Sequence, residues 1–127
     1  MRTQTLGSSN LYGTCIAYGC MPIGGSWDDS TLTESTRREA VRILRFVLDQ
    51  GINFFDHADI YCRGKSEEAF AAVWGEVPHL REKIILQSKC GIRLEGDPEP
   101  GSPHRFDFSH QHILRSVEGS LRRLQTD

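Results

Sequence analysis

No two cysteines in this sequence stand at Cys-x-x-Cys spacing. Cys15, Cys20, Cys62 and Cys90 are isolated from one another. Zinc would need about four such ligands in tetrahedral array, and the spacing fits no zinc pattern, so no metal is expected. No apolar run approaches the roughly 20 residues that cross a bilayer. The opening "MRTQTLGSSN" lacks the apolar core of a signal peptide. A cytoplasmic protein with reduced thiols is the expectation. Excess charge is also missing: 15 Lys and Arg stand against 17 Asp and Glu, a formal net charge of −2. That gives no reason to expect nucleic acid or an acidic membrane as partner. A glycine-rich phosphate loop is absent too, because "GCMPIGG" is not followed directly by a helix. What remains is ordinary for a globular domain: 127 residues, 38% hydrophobic and 25% charged.

The pattern that is present alternates strands with helices. Residues 1–10 are polar and expected to be loose. "TCIAYGCMPIGG" (Thr14–Gly25) holds a short apolar strand closed by Pro22 and glycines. In "TLTESTRREAVRILRFVLDQG", Ala40, Val41, Ile43, Leu44, Val47 and Leu48 recur at helical spacing. Thr31 or Thr33 can cap this helix, and Gly51 can take the left-handed turn that ends it. "INFFD" reads as a second strand buried on both faces. "KSEEAFAAVWGEV" reads as a helix behind a Ser66 cap, with Ala69, Phe70, Val73 and Trp74 on its core side. "KIILQSK" (Lys83–Lys89) is a third strand. "FSHQHILRSVEGSLRRL" is a third helix, capped by Ser109, with a stripe of Ile113, Leu114, Val117, Leu121 and Leu124. The order β-α-β-α-β-α implies a parallel sheet with right-handed crossovers. Between the last strand and helix lies a long Gly- and Pro-rich loop, Cys90–Phe108, of the kind that often carries function.

Parallel α/β sheets bind ligands at the carboxyl ends of their strands. Asp56 closes the second strand and Lys89 the third. Alternation puts Ile52, Phe54 and Asp56 on one face and Ile85, Gln87 and Lys89 on one face. Where both faces point the same way, carboxylate and ammonium meet, and Tyr61 can fold back over them. A lysine ammonium beside a phenol favours the phenolate, and a carboxylate keeps the lysine charged and oriented. Such a trio suits general acid–base work. Spacing leaves the alternative open: an Asp that caps a turn and a Lys in a surface ion pair.

At these residues the sequence resembles the aldo-keto reductase family. "GINFFDHADIYCRGKSEE" is similar to the family's segment around its catalytic Asp and Tyr, which usually reads Gly-Ile-x-x-Phe-Asp-Thr-Ala-x-x-Tyr-Gly followed by Ser-Glu. "EKIILQSKCG" is similar to the strand that carries the catalytic Lys. "IAYGCM" resembles the family's first strand, and "SVEGSLRRLQTD" the helix before its fourth. The resemblance spans Leu11 onward and leans to the bacterial predicted-oxidoreductase branch. It implies a (β/α)8 TIM barrel that uses NADP(H) to reduce aldehydes or ketones to alcohols. Carried over by position, Tyr61 is the general acid, Lys89 lowers its pKa and Asp56 holds Lys89. Gly19, Cys20 and Met21 are expected near the nicotinamide. His57 and Cys62 stand where Thr and Gly are commoner. A barrel of this type takes roughly 250 residues. The 127 residues therefore read as a single partial domain, about the first three βα units, ending where a fourth strand is expected. The family's catalytic histidine has no counterpart, since His104, His110 and His112 fall too early. Such a chain by itself is expected to aggregate or fold in part, with little activity.

Other residues carry a sharp and a bland reading each. Trp27 is placed for a pocket, whereas Trp74 sits at core spacing. Arg93, Arg105 and Phe106 in the long loop either approach substrate or belong to an inert surface. Arg115, Arg122 and Arg123 read as a solvated helix face. Beside the reductase stand two alternatives: a non-catalytic binding or regulatory protein on the same fold, and an inactive remnant.

Overall fold

Seven short strands and three α-helices alternate along the computed structural model, which describes all residues from Met1 to Asp127. At its centre lie three parallel strands, β3 (Tyr18–Gly19), β4 (Phe54–Asp56) and β5 (Ile85–Gln87), in the order β3-β4-β5. Their register pairs Gly19 with Asp56 and Asp56 with Gln87, so the carboxyl ends of all three strands finish level. Helix α1 (Glu34–Asp49) connects β3 to β4, α2 (Lys65–Ala71) connects β4 to β5, and α3 (His110–Leu124) follows β5. The strand–helix alternation expected from hydrophobic spacing is therefore present. The sheet is open, with β3 and β5 each paired on one side, and no barrel closes.

The core lies between this sheet and the helices. Leu44, Ala40 and Val47 of α1 pack with Phe55 of β4, Phe70 of α2 and Val73 just beyond it. Phe55 stacks edge-on against Phe70, and Phe70 against Trp74, whose indole N–H donates to the Leu124 carbonyl at 2.7 Å. Phe55 is fully buried while Phe54 and Asp56 are half-buried, so β4 buries one face more deeply than the other. The caps follow the sequence closely in α1 and α3. Thr33 accepts from the Thr36 amide and Ser109 from the His112 amide, satisfying amides that have no partner inside the helix.

Four expectations are corrected. The first ten residues are not loose: β1 (Thr3–Thr5) pairs antiparallel with β2 (Tyr12–Thr14). Asn53 ties this hairpin down, donating to the Tyr12 carbonyl at 3.0 Å and accepting from the Thr14 amide at 2.8 Å. Gly13 lets it lie on Ile85 and Phe54, whose carbons fall 3.2 and 3.3 Å from where a Cβ would be. Ser66 does not cap α2; it lies within the helix, and its hydroxyl donates to the Met21 carbonyl at 2.8 Å. The residue at the cap is Gly64, in the left-handed region at φ 89°. In α3 only part of the apolar stripe faces the core, with Leu124 buried and Ile113 half-buried. Leu114, Val117 and Leu121 are exposed, while His112, Ser116, Gly119 and Ser120 are buried with Leu124. The inward face is small and polar because the Arg123 side chain crosses it to reach the fully buried Glu67 of α2 at 2.8 Å. Arg123 is thus a structural ion pair and no part of a solvated face.

Candidate active site

Strand register does at β4 and β5 what alternation predicts. Asp56 and Gln87 are paired neighbours, and Lys89 follows on the same face two residues later. One carboxylate oxygen, Asp56 Oδ1, accepts from Lys89 Nζ at 2.6 Å and from Gln87 Nε2 at 2.6 Å. Lys89 Nζ also donates to the His57 carbonyl at 2.5 Å. Pairing continues past the strand ends, with the His57 amide on the Gln87 carbonyl and the Asp59 amide on the Lys89 carbonyl. The ammonium is therefore fixed by two acceptors at the mouth of the sheet. It stands 5.2 Å from the centroid of the Tyr61 ring, over its face. A cation there is attracted by the ring quadrupole, by about 0.5–1 kcal/mol at an exposed site. Asp56, Tyr61 and Lys89 are brought together, with Lys89 over the ring and not hydrogen-bonded to the hydroxyl.

Tyr61 is held by an unusual turn. Cys62, Arg63 and Gly64 follow it with φ of 49°, 57° and 89°, three successive residues in the left-handed region. For residues with a Cβ this costs roughly 1–2 kcal/mol each, so the surroundings must offset it. They do so through the turn after β3. The buried Cys62 thiol shares its one S–H between the Met21 carbonyl at 3.2 Å and the Gly25 carbonyl at 3.3 Å. Arg63 Nε donates to the Trp27 carbonyl at 2.8 Å. Lys65 Nζ, buried, reaches Ser26 Oγ, the Asp28 and Ser30 carbonyls and Asp28 Oδ1, at 2.9 to 3.2 Å. Gly24 packs so closely on α2 that a Cβ would lie 2.5 Å from the Ser66 amide. The loops after β3 and β4 are clamped as one unit.

The residues expected near a nicotinamide separate into two kinds. Gly19 faces open space, with nothing within 4 Å of a notional Cβ, and Met21 is 47% exposed. Cys20 instead turns into the core, fully buried, with burial pushing its thiol far above the ordinary range. It contributes only its backbone, whose amide donates to the Asp56 carbonyl. His57 is also buried, its ring edge-on to Phe70 at 4.9 Å and both nitrogens without partners. Burial lowers its pKa to about 4, so it is a neutral core aromatic. No three His, Cys, Asp or Glu side chains converge as a metal site would require.

The long loop forms a second hairpin, β6 (Ile92–Arg93) with β7 (Arg105–Phe106). Its arginines are engaged within it. Arg93 donates to Asp107 at 2.7 Å and Asp97 at 3.1 Å, and Arg105 to the Asp97 and Pro103 carbonyls. Hydrogen bonds from Ser109 first, then Arg93, hold the Asp107 carboxyl well below the usual range. Phe106 and Phe108 line a cavity of about 250 Å³ with Tyr61 and Lys89. Trp27 is not among the residues lining it. Sequence reasoning missed Gln87 and Glu67 as well as Phe108. Gln87 was legible, since it shares a face with Lys89; the partners of Glu67 are remote in sequence.

The chain resembles known proteins over nearly its whole length. The model of the aldo/keto reductase family matches residues 15–127. The uncharacterized oxidoreductase YcsN of Bacillus subtilis is 43% identical over 90 residues, covering 70% of this chain and 30% of that protein. Another from the same organism, YqkF, is 34% identical over 127 residues, covering 100% of this chain and 36% of its own length. Among solved structures, aldo-keto reductase AKR11C1 from Bacillus halodurans (holo form) superposes with a TM-score of 0.75 at 35% identity. That match covers 100% of this chain and 37% of the other. The chain thus spans about a third of the length of the relatives it matches. No helix is long and apolar enough to cross a membrane. With the family's model matched from residue 15 to residue 127, this chain belongs to the aldo/keto reductase family of oxidoreductases.

Proposed function

We propose that the chain carries the acid–base half of a carbonyl reductase that converts aldehydes or ketones to alcohols with NADP(H). The observation that carries this reading is the convergence on Lys89. Its ammonium is bonded to Asp56 at 2.6 Å and stands 5.2 Å from the centre of the Tyr61 ring. NADPH, when bound, supplies the hydride. The open space over Gly19 and the exposed Met21, beside Asp56, fit the nicotinamide end of that cofactor. Tyr61 gives its hydroxyl proton to the carbonyl oxygen as the C–H bond forms, which leaves a phenolate facing the Lys89 ammonium. Asp56 keeps that ammonium in place, and Gln87 holds the Asp56 carboxylate in turn. The rigid turn at Cys62–Gly64 fixes Tyr61, so little reorganisation is needed when the proton moves.

The three strand–helix units are, in the same reading, the opening arc of a (β/α)8 barrel. Further strands would pair along the free edges of β3 and β5, as the superposition on 37% of AKR11C1 supports. NADPH oxidation in the presence of a carbonyl substrate, measured on the protein as encoded, tests the assignment. Tyr61→Phe is expected to lower turnover by roughly 10²–10⁴-fold, the usual contribution of a general acid. Turnover within twofold of the parent would refute it and would favour a non-catalytic binding protein on the same fold.

A further inference from the structure

We infer that Glu67 is a positioning residue for the proton transfer: its buried carboxylate ties the strand end that carries Lys89 to the turn that holds Tyr61. This rests on the reductase reading above and adds to it a residue that lies behind the site. Glu67 sits in the first turn of α2 with its side chain fully buried, where a carboxylate persists only if its oxygens are partnered. Oε1 accepts from Ser88 Oγ at 2.6 Å, and Oε2 accepts from Arg123 Nε at 2.8 Å. The two partners lead to the two halves of the acid–base site.

Ser88 stands between Gln87 and Lys89, just past the end of β5. Alternation sends its side chain to the face opposite theirs. On one face Lys89 Nζ is held by Asp56 Oδ1 and the His57 carbonyl, and on the other Ser88 Oγ is held by Glu67. A shift of this strand end relative to α2 would break the Ser88 bond. Arg123 leads to the turn. Its side chain crosses Gly64, the last of the three left-handed residues that follow Tyr61. A Cβ at Gly64 would lie 2.9 Å from Arg123 Cδ and 3.0 Å from Nε. The Arg123 side chain therefore bears on the backbone that holds Tyr61, and Glu67 holds that side chain. Room for the guanidinium comes from Gly119, where a Cβ would lie 3.0 Å from Arg123 Nη1. An apolar side chain of similar volume could serve stability as well as this ion pair does. It would bond neither element, and the 5.2 Å between Lys89 Nζ and the Tyr61 ring centre would lose its tie.

Ser88→Ala in the protein as encoded tests this, since it removes one hydroxyl and leaves the Glu67–Arg123 pair and the site residues in place. Ser88→Thr is its rescue, because it keeps the hydroxyl. NMR of lysine isotope-labelled at Cε reads the geometry directly. The protons beside Lys89 Nζ lie over the Tyr61 ring, whose ring current displaces them upfield, and Lys89→Arg identifies their signal. In Ser88→Ala that signal is expected to move toward the position of an exposed lysine, and in Ser88→Thr to stay. Circular dichroism controls for folding. Carbonyl-dependent NADPH oxidation is the second readout. There kcat should fall about tenfold in Ser88→Ala, as misplacement of reacting groups does, with KM within about twofold of the parent. Ser88→Thr should keep the parent kcat. An unmoved Lys89 signal in Ser88→Ala, or an equal displacement in Ser88→Thr, overturns the inference whether or not carbonyls are reduced. A moved signal with kcat unchanged overturns the positioning role and leaves the reductase reading standing. A moved and rescued signal with no turnover in the parent would instead refute the reductase reading on which the role rests.

Discussion

His57 and Cys62 stand directly after Asp56 and Tyr61, and each has a physical consequence. Cys62 sits at φ 49°, where a glycine would be unstrained. Its single S–H is shared between the Met21 and Gly25 carbonyls of the turn after β3, a contact a glycine could not make. His57 is buried as a neutral ring, its pKa lowered by burial to about 4 from the ordinary 6.5. The unfolded chain therefore binds a proton on this residue between about pH 6.5 and pH 4 while the folded chain does not. Its contribution to stability is present above pH 6.5 and is lost as pH falls toward 4. A shift of this size is worth on the order of 3 kcal/mol. His57→Phe should remove that part of the acid sensitivity. Urea unfolding at pH 7.5 and pH 4.5 measures it: the loss between the two pH values should be smaller in the variant by a few kcal/mol. An identical loss in both proteins would mean that His57 is protonated in the native state.

Among the elements, α3 shows most clearly what residue spacing can and cannot reveal. Its period identifies a helix, and Ser109 identifies its start, but period alone does not say which side faces inward. The buried side is written in Ser116, Gly119 and Ser120, small residues that make room for the Arg123 side chain. Glu67 is fully buried and has two partners, Ser88 Oγ at 2.6 Å and Arg123 Nε at 2.8 Å. These contacts join α2, the end of β5 and α3. Arg123→Met should cost about 2–4 kcal/mol in chemical denaturation, since it strands a buried carboxylate. Adding Glu67→Gln should recover part of that loss, and a strictly additive double variant would show that the two residues do not interact. The β1–β2 hairpin was not legible for a related reason. Its strands are polar, and Asn53, about 40 residues away, holds them. By contrast, the meeting of Asp56 with Lys89 needed only that β4 and β5 pair in register, the condition that alternation leaves open and the structure meets. That Lys89 stands over the Tyr61 ring could not be read, since it depends on the left-handed turn at Cys62–Gly64.

For the whole molecule, the open sheet sets the behaviour. β5 presents an unpaired edge, and Leu114, Val117 and Leu121 form an exposed apolar stripe on α3, the helix that follows it. A groove of about 320 Å³ lies between them, lined by Leu86, Val117, Leu121 and Leu124 among others. Free strand edges beside apolar surface favour association. The 127-residue chain should show concentration-dependent self-association in sedimentation velocity. Leu114→Lys, Val117→Glu and Leu121→Lys together should shift it toward monomer, and a parent chain that is already monomeric would contradict the expectation.

The central claim is that Asp56, Lys89 and Tyr61 act as one acid–base unit, and a double-substitution cycle on turnover tests it most directly. With carbonyl-dependent NADPH oxidation as the readout on the protein as encoded, Asp56→Asn and Lys89→Met should each lower kcat by about 10²-fold or more. The doubly substituted protein should be little worse than the worse single variant, because groups that work as a unit are not additive. Losses that multiply, or a Lys89→Met protein that keeps the parent rate, would contradict the account.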